Sequence, residues 1–256
     1  MTIAVSARRM STCLAVLGVA VLGLSASVSA SPTIAFKVKA LPIPGFPGTG
    51  DILGAGVMFQ GEGTVSGTEY GGSPPPVTEI TVYAPAGLKL HPQGFATCSS
   101  AILESHEVQT CPKKSIVGPK GFAVGVVSFG GDRVQETASV QPFLAPGGNP
   151  EFFVEGTTPV AVEFLAKAHV VSSSLPFGQE FIGEVPLIET VPGALDASFI
   201  EGTIKIGAAY KQGRKTISYI TMPKKCPKGG FAVKVEVSFL GGTTAGASYK
   251  LPCPKR

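Results

Sequence analysis

The stretch FATCSSAILESHEVQTCPKK, Phe95 to Lys114, gathers two cysteines, a histidine and two glutamates. Metal ligation, thiol redox chemistry and a covalent staple all draw on this set of residues. With His91 added, the order His91, Cys98, His106, Cys111 supplies the donor types of a structural zinc site. Their spacing argues against zinc. Such sites bring ligands in close pairs, about two to four residues apart, whereas the intervening gaps here are six, seven and four. Neither Cys98 with Cys111 nor Cys226 with Cys253 forms a C-x-x-C, so a thioredoxin-like role has no support. Cysteines of an exported chain oxidise, and a disulfide does not ligate as two thiolates. Two disulfides are therefore expected, with three connectivities open. Sequence proximity favours Cys98 with Cys111 and Cys226 with Cys253, each contributing roughly 3 kcal/mol through the unfolded chain. No metal and no cofactor is expected. His106 reads as a solvated residue on a short helix, Ala101 to Glu107, that Ser99 or Ser100 can cap.

Export is read from the start of the chain. Arg8 and Arg9 precede an apolar run of eleven residues, Leu14 to Leu24, and Val28-Ser29-Ala30 offers small residues for cleavage after Ala30. Residues 1–30 read as a signal peptide, taking Cys13 with them. No later stretch reaches the roughly eighteen apolar residues of a membrane-spanning helix, so a secreted or envelope location without a transmembrane segment is expected.

Other chemistry is sparse. There is no G-x-S-x-G elbow, no H-E-x-x-H and no P-loop. Asp51, Asp132 and Asp196 stand far apart, which sets aside clustered calcium loops. Glu151, Glu155 and Glu163 could supply the carboxylate pair of a glycoside hydrolase, although glutamates at such spacing on strands usually form a wet face. His169 closes an apolar run and reads as a packed or rim histidine. The chain has no tryptophan, which weakens sugar stacking and leaves Tyr70, Tyr83, Tyr210, Tyr219 and Tyr249 as candidates; burial in a core is the plainer account of them.

The elements that must position these residues are short. Glycine and proline number 33 and 22, together 55 of 256 residues, about twice their usual share. Between them lie β-like runs: 56–65, 77–83, 121–129, 133–144, 152–154, 160–171, 180–188, 198–210, 216–221, 231–239 and 245–251. Phe231, Val233, Val235 and Val237 alternate with Ala232, Lys234, Glu236 and Ser238, one face for a core and one for water. An all-β fold is expected, a β-sandwich built as one large sandwich or as two packed lobes dividing near 145–150. The helix within the Cys98 to Cys111 loop is the exception. Residues 31–50, with the proline-rich LPIPGFPGTG, read as an extended lead-in, leaving 51–256 as the β region. GFAVGVVSFGG from Gly121 and GFAVKVEVSFLGG from Gly230 match with one residue skipped, each after a Cys-Pro-Lys. Duplication or convergence of two amphipathic strands would each produce the match.

GTVSGTEYGGSPPP, YAPAGLKLHPQGFATCSSAILES, CPKKSIVG, VPLIETVPGALDAS, KKCPKGGFAVKVEVSFLGG and YKLPCP follow in that order. In this cysteine framework and these proline-led motifs the chain resembles a large group of uncharacterised secreted bacterial proteins. The resemblance covers most of the chain beyond residue 30 and implies a secreted β-rich protein. It transfers no activity to any residue.

Charge is the feature that rises above this background. Residues 205–256 hold eleven Lys and Arg against Glu236 alone, whereas residues 31–204 hold eight against sixteen Asp and Glu. Lys211, Arg214 and Lys215, and Lys224, Lys225 and Lys228, flank the 216–221 run and belong in turns at its ends. In a cell envelope such a basic edge would meet anionic wall polymers or membrane-surface head groups. The plainer reading has acidic strands neutralising it within the fold. Nucleic acid is not expected, because the chain is exported and no aromatics interleave with the lysines. The function expected is a secreted, non-enzymatic, envelope-associated structural or binding module, with a secreted hydrolase using a glutamate pair as the alternative.

Overall fold

The alternation read in residues 231–239 runs through most of the chain. In the computed structural model, which describes residues 31–253 apart from 51, 52, 130 and 191, Phe231, Val233, Val235, Val237 and Phe239 are buried and the residues between them half-exposed. The expected signal peptide, Cys13 and Asp51 lie outside the described residues. The strands are β1 (Thr33–Leu41), β2 (Met58–Ser66), β3 (Val77–Pro85), β4 (Lys89–Leu90), β5 (Gly121–Phe129), β6 (Asp132–Leu144), β7 (Pro150–Gly156) and β8 (Val162–Ser172). They continue with β9 (Phe177–Glu184), β10 (Ser198–Ile206), β11 (Ala209–Gln212), β12 (Lys215–Ser218), β13 (Ile220–Thr221), β14 (Phe231–Phe239) and β15 (Thr244–Leu251). One helix, α1 (Ser100–Glu104), precedes two 3-10 turns at Val108–Thr110 and Lys113–Ser115.

Eleven strands form a single antiparallel sheet in the order β1-β2-β10-β5-β6-β7-β8-β9-β3-β14-β15. Its two edge strands, β1 and β15, come to lie side by side, so the sheet is nearly closed. The all-β expectation holds, and the two walls of the sandwich are two runs of one sheet. Across the interior, Ile34, Phe36, Val65 and Phe199 from the β1-β2-β10 run meet Ile80, Val82, Val235 and Val237 from the β3-β14 run. Burying side chains such as Phe231 and Phe239, both under 2% exposed, stabilises the fold by about 1.5–3 kcal/mol each. On the outer face of β1 and β2, Lys37 pairs with Glu62 and Lys39 with Gln60 in register.

Residues 31–50 are not a lead-in throughout. Residues 33–41 join the sheet as β1, since TIAFKVKAL alternates and the prolines begin only at Pro42. Nor does the chain divide near 145–150, because that segment is the turn between β6 and β7, which pair from Leu144 and Pro150 onward. The expected strand 198–210 is broken at Gly207. There φ is +141°, and a β-carbon would sit 2.4 Å from the Val57 carbonyl oxygen, a close approach that only glycine allows.

The two ends of the sheet differ. Turns 67–76, 130–131, 157–161, 185–197 and 240–243 join strands at one end. At the other, longer segments 42–57, 86–120 and 207–230 carry α1, the small sheets β11-β12 and β4-β13, and both disulfides. These link Cys98 to Cys111 and Cys226 to Cys253, with Cα separations of 5.3 and 5.9 Å.

Candidate functional site

The disulfides remove the zinc reading of the Phe95 to Lys114 stretch. Cys98 is buried with Leu103 against Phe143, Phe153 and Leu165 on the outer face of β6, β7 and β8. Ser99 caps α1, its hydroxyl accepting from the Ile102 amide, and the helix stops at Glu104 rather than Glu107. His106 sits in the turn beyond, in the left-handed region at φ +62°, and contacts the Glu163 carboxylate. His91 lies elsewhere, at the end of β4. Among the described residues no group of three or more His, Cys, Asp or Glu could hold a metal ion.

The three candidate hydrolase glutamates share the outer face. Glu155 and Glu163 are register partners on β7 and β8, while Glu151 lies four residues along β7, about 13 Å away. Glu151 is buried beneath α1, where Ser100 Oγ donates to it at 2.6 Å, and Lys167 beside it pairs with Glu104 at 2.5 Å. The Glu104 carboxylate holds the Lys167 ammonium above its ordinary range. These contacts pin α1 to the sheet. Glu155 and Glu163 are 41% and 35% exposed, with Lys120 4.0 Å from the first and His106 against the second. Both project from the outer face of the sheet. His169 is exposed on the same outer face.

The elaborated end gathers the six basic residues. Lys211, Arg214 and Lys215 occupy the β11-β12 hairpin, whose two-residue turn places Gly213 at φ +60° in its first position, a conformation suited to glycine. Lys224, Lys225 and Lys228 lie in the loop between β13 and β14, on either side of Cys226. Segment 42–57 touches both groups: the Phe46 ring lies 5.9 Å from the Lys211 ammonium, and the Gly54 amide bonds the Pro223 carbonyl beside Lys224. All six residues are exposed. Among the described residues none is in an ion pair; the five pairs present use other partners.

The distribution by end is sharper than the distribution along the chain. Segments 42–57, 86–120, 145–149, 173–176 and 207–230 together carry ten Lys and Arg against Asp51, Glu104 and Glu107. The turns of the opposite end carry Glu69, Glu189 and Asp196, with no Lys or Arg.

Beside the hairpin lies an open cleft of about 520 Å³. Its lining comes from His91, Gln93 and Gly94 after β4, and from Tyr210, Gln212, Thr216, Ile217, Ser218 and Thr221 of β11 to β13. Pairing of Ile220 with Leu90 and of Thr221 with Lys89 brings the two segments together. His91 Nε2 is 3.1 Å from Thr221 Oγ1, and Lys211 donates to Thr216 Oγ1 at 2.9 Å. The Tyr210 ring meets the Phe95 edge at 5.0 Å, and its hydroxyl donates to the Gln93 carbonyl at 3.4 Å. Phe95 also packs on Tyr219, which is fully buried; that burial pushes its phenol up. Of the five tyrosines, then, Tyr219 is a core residue, while Tyr210 opens onto the cleft. His91 and Tyr210 stand out in the sequence for other reasons, but nothing there brings them together, because the two contributing segments are more than a hundred residues apart.

Fold and site define a class: a nearly closed, disulfide-stapled antiparallel β sheet with one basic, elaborated end. No family model, curated protein or solved structure matches the chain.

Proposed function

We propose that the protein is exported by its first 30 residues and acts without catalysis in the cell envelope, holding anionic surface polymers at its basic end. One observation carries this reading: Lys211, Arg214, Lys215, Lys224, Lys225 and Lys228 are all exposed at one end of the sheet, with no carboxylate among the described residues paired to them. Most acidic residues of 31–204 lie on the strands or in the turns of the far end, which supports the cluster as a patch of one sign. Disulfides are in keeping with an oxidising location, as is the secreted group the sequence resembles. A dense patch of one sign attracts polyanions by Coulomb forces that salt screens over about 8–10 Å.

The test is co-sedimentation of residues 31–256 with purified bacterial cell walls across a salt series, beside a variant carrying Gln at the six positions. Binding should weaken as salt rises, and the variant should bind at least about tenfold more weakly at low salt. Equal binding by both proteins, or none by either at any salt, would overturn the proposal.

A further inference from the structure

The basic patch borders a concavity, and the concavity has its own chemistry. Its lining includes Gln93, Gln212 and Thr216, with His91 and Thr221 bonded to each other and Ser218 buried behind them, and it contains no Asp or Glu. Amides and hydroxyls both donate and accept, which suits a ring bearing several hydroxyl groups. A phosphate or carboxylate alone would use only donors. Gln93 and Gln212 are exposed and free to turn toward a ligand, whereas Thr216 is already oriented by Lys211. Lys215 joins the two features, since it is the register partner of Gln212 and shares its side of the hairpin, whereas Lys211 alternates to the other side, over Phe46. A lipid surface would instead call for apolar side chains beside the cations, and Ile217 is the only aliphatic residue in the lining.

We infer that this cleft is a saccharide subsite: it holds one sugar unit of an anionic glycan, Gln93 and Gln212 hydrogen-bonding the ring hydroxyls while Arg214 and Lys215 at the hairpin tip meet the charged substituents. The inference rests on the envelope-binding reading and deepens it, making the polymer a glycan and its recognition dependent on hydroxyl groups as well as charge.

The experiment uses wall co-sedimentation with uncharged changes in the cleft. Gln93→Ala/Gln212→Ala keeps every charge and alters only exposed positions; it should raise the Kd by about tenfold while the salt slope stays that of wild type. Gln212→Trp, which fills the cleft mouth, should do the same. Periodate-treated walls, whose vicinal diols are cleaved while their phosphates and carboxylates remain, should lose binding to a similar degree. Wild-type affinity in both variants, or undiminished binding to oxidised walls, would overturn the subsite and leave the charge-based reading standing. Binding to phosphatidylglycerol vesicles as tight as to walls would overturn the glycan assignment. Absence of wall binding in the wild-type protein removes both readings together.

Discussion

At the scale of single residues, the outer face of β3 and β14 contains a coupled trio. The Tyr83 hydroxyl donates to Glu236, and Lys234 lies 2.9 Å from the other Glu236 oxygen and 4.9 Å from the centre of the Tyr83 ring. Its hydrogen bond to the carboxylate pushes the Tyr83 phenol up to about 12 from an ordinary 10.0. The same bond, with that to Lys234, holds the Glu236 carboxyl below its ordinary 4.5. A raised phenol contributes stability that is whole below the unfolded value and lost as pH rises through the folded one; a lowered carboxyl contributes stability present above its unfolded value and lost as pH falls through the folded one. The bond therefore supports the fold from about pH 4.5 to about pH 10. With Glu236 42% exposed, water screens it and the contribution is small. Tyr83→Phe should remove a phenolate step near pH 12 from the ultraviolet titration and make the fall in urea midpoint above pH 10 shallower. An unchanged alkaline limb would show that the hydroxyl is not held by the carboxylate.

At the scale of elements, the two disulfides staple different things. Cys98–Cys111 closes the loop that lays Leu103 on Phe153 and Leu165. Cys226–Cys253 ties the basic loop after β13 to a position two residues beyond β15. From loop length alone, removing the first should cost about 3 kcal/mol and the second about 3.5. Hydrogen exchange should then quicken in residues 98–115 for Cys98→Ala/Cys111→Ala, and in 222–230 with the end of β15 for Cys226→Ala/Cys253→Ala. Uniform acceleration in both variants would contradict this division of labour. The elements differed in how openly the sequence displayed them. β5 and β14 appear at their observed limits because glycines bound each and apolar residues alternate within. The β1 strand did not, since the proline cluster that follows it drew the whole of 31–50 into one extended segment. The resemblance between GFAVGVVSFGG and GFAVKVEVSFLGG does not carry over to the sheet: Phe122 is 42% exposed and Phe231 is 1% exposed. Equivalent letters face opposite sides there, which favours convergence over duplication. Basic residues could be read from local density, whereas the cleft needed the pairing of β4 with β13, a contact that periodicity cannot reveal.

At the scale of the whole molecule, closure of the sheet explains why the short first strand matters. β1 is hydrogen-bonded only to β2 and packs beside β15, so it covers the seam through which water would reach the interior. Val38 is buried in the cluster that contains Tyr219, Phe231 and Leu251, and Phe36 touches both major clusters. Losing Ile34, Phe36, Val38 and Ala40 would strip apolar burial worth at least about 5 kcal/mol, comparable with the net stability of a typical domain. It would also leave β2 as an uncovered edge, a template for association. A chain beginning at Pro42 should therefore lose its cooperative urea transition, bind a hydrophobic dye and aggregate, whereas one beginning at Ser31 should unfold in one step. Had 31–50 been a linker, trimming it to Pro42 would leave the urea curve unchanged, and that outcome would mean the seam between β1 and β15 does not close the sheet in solution.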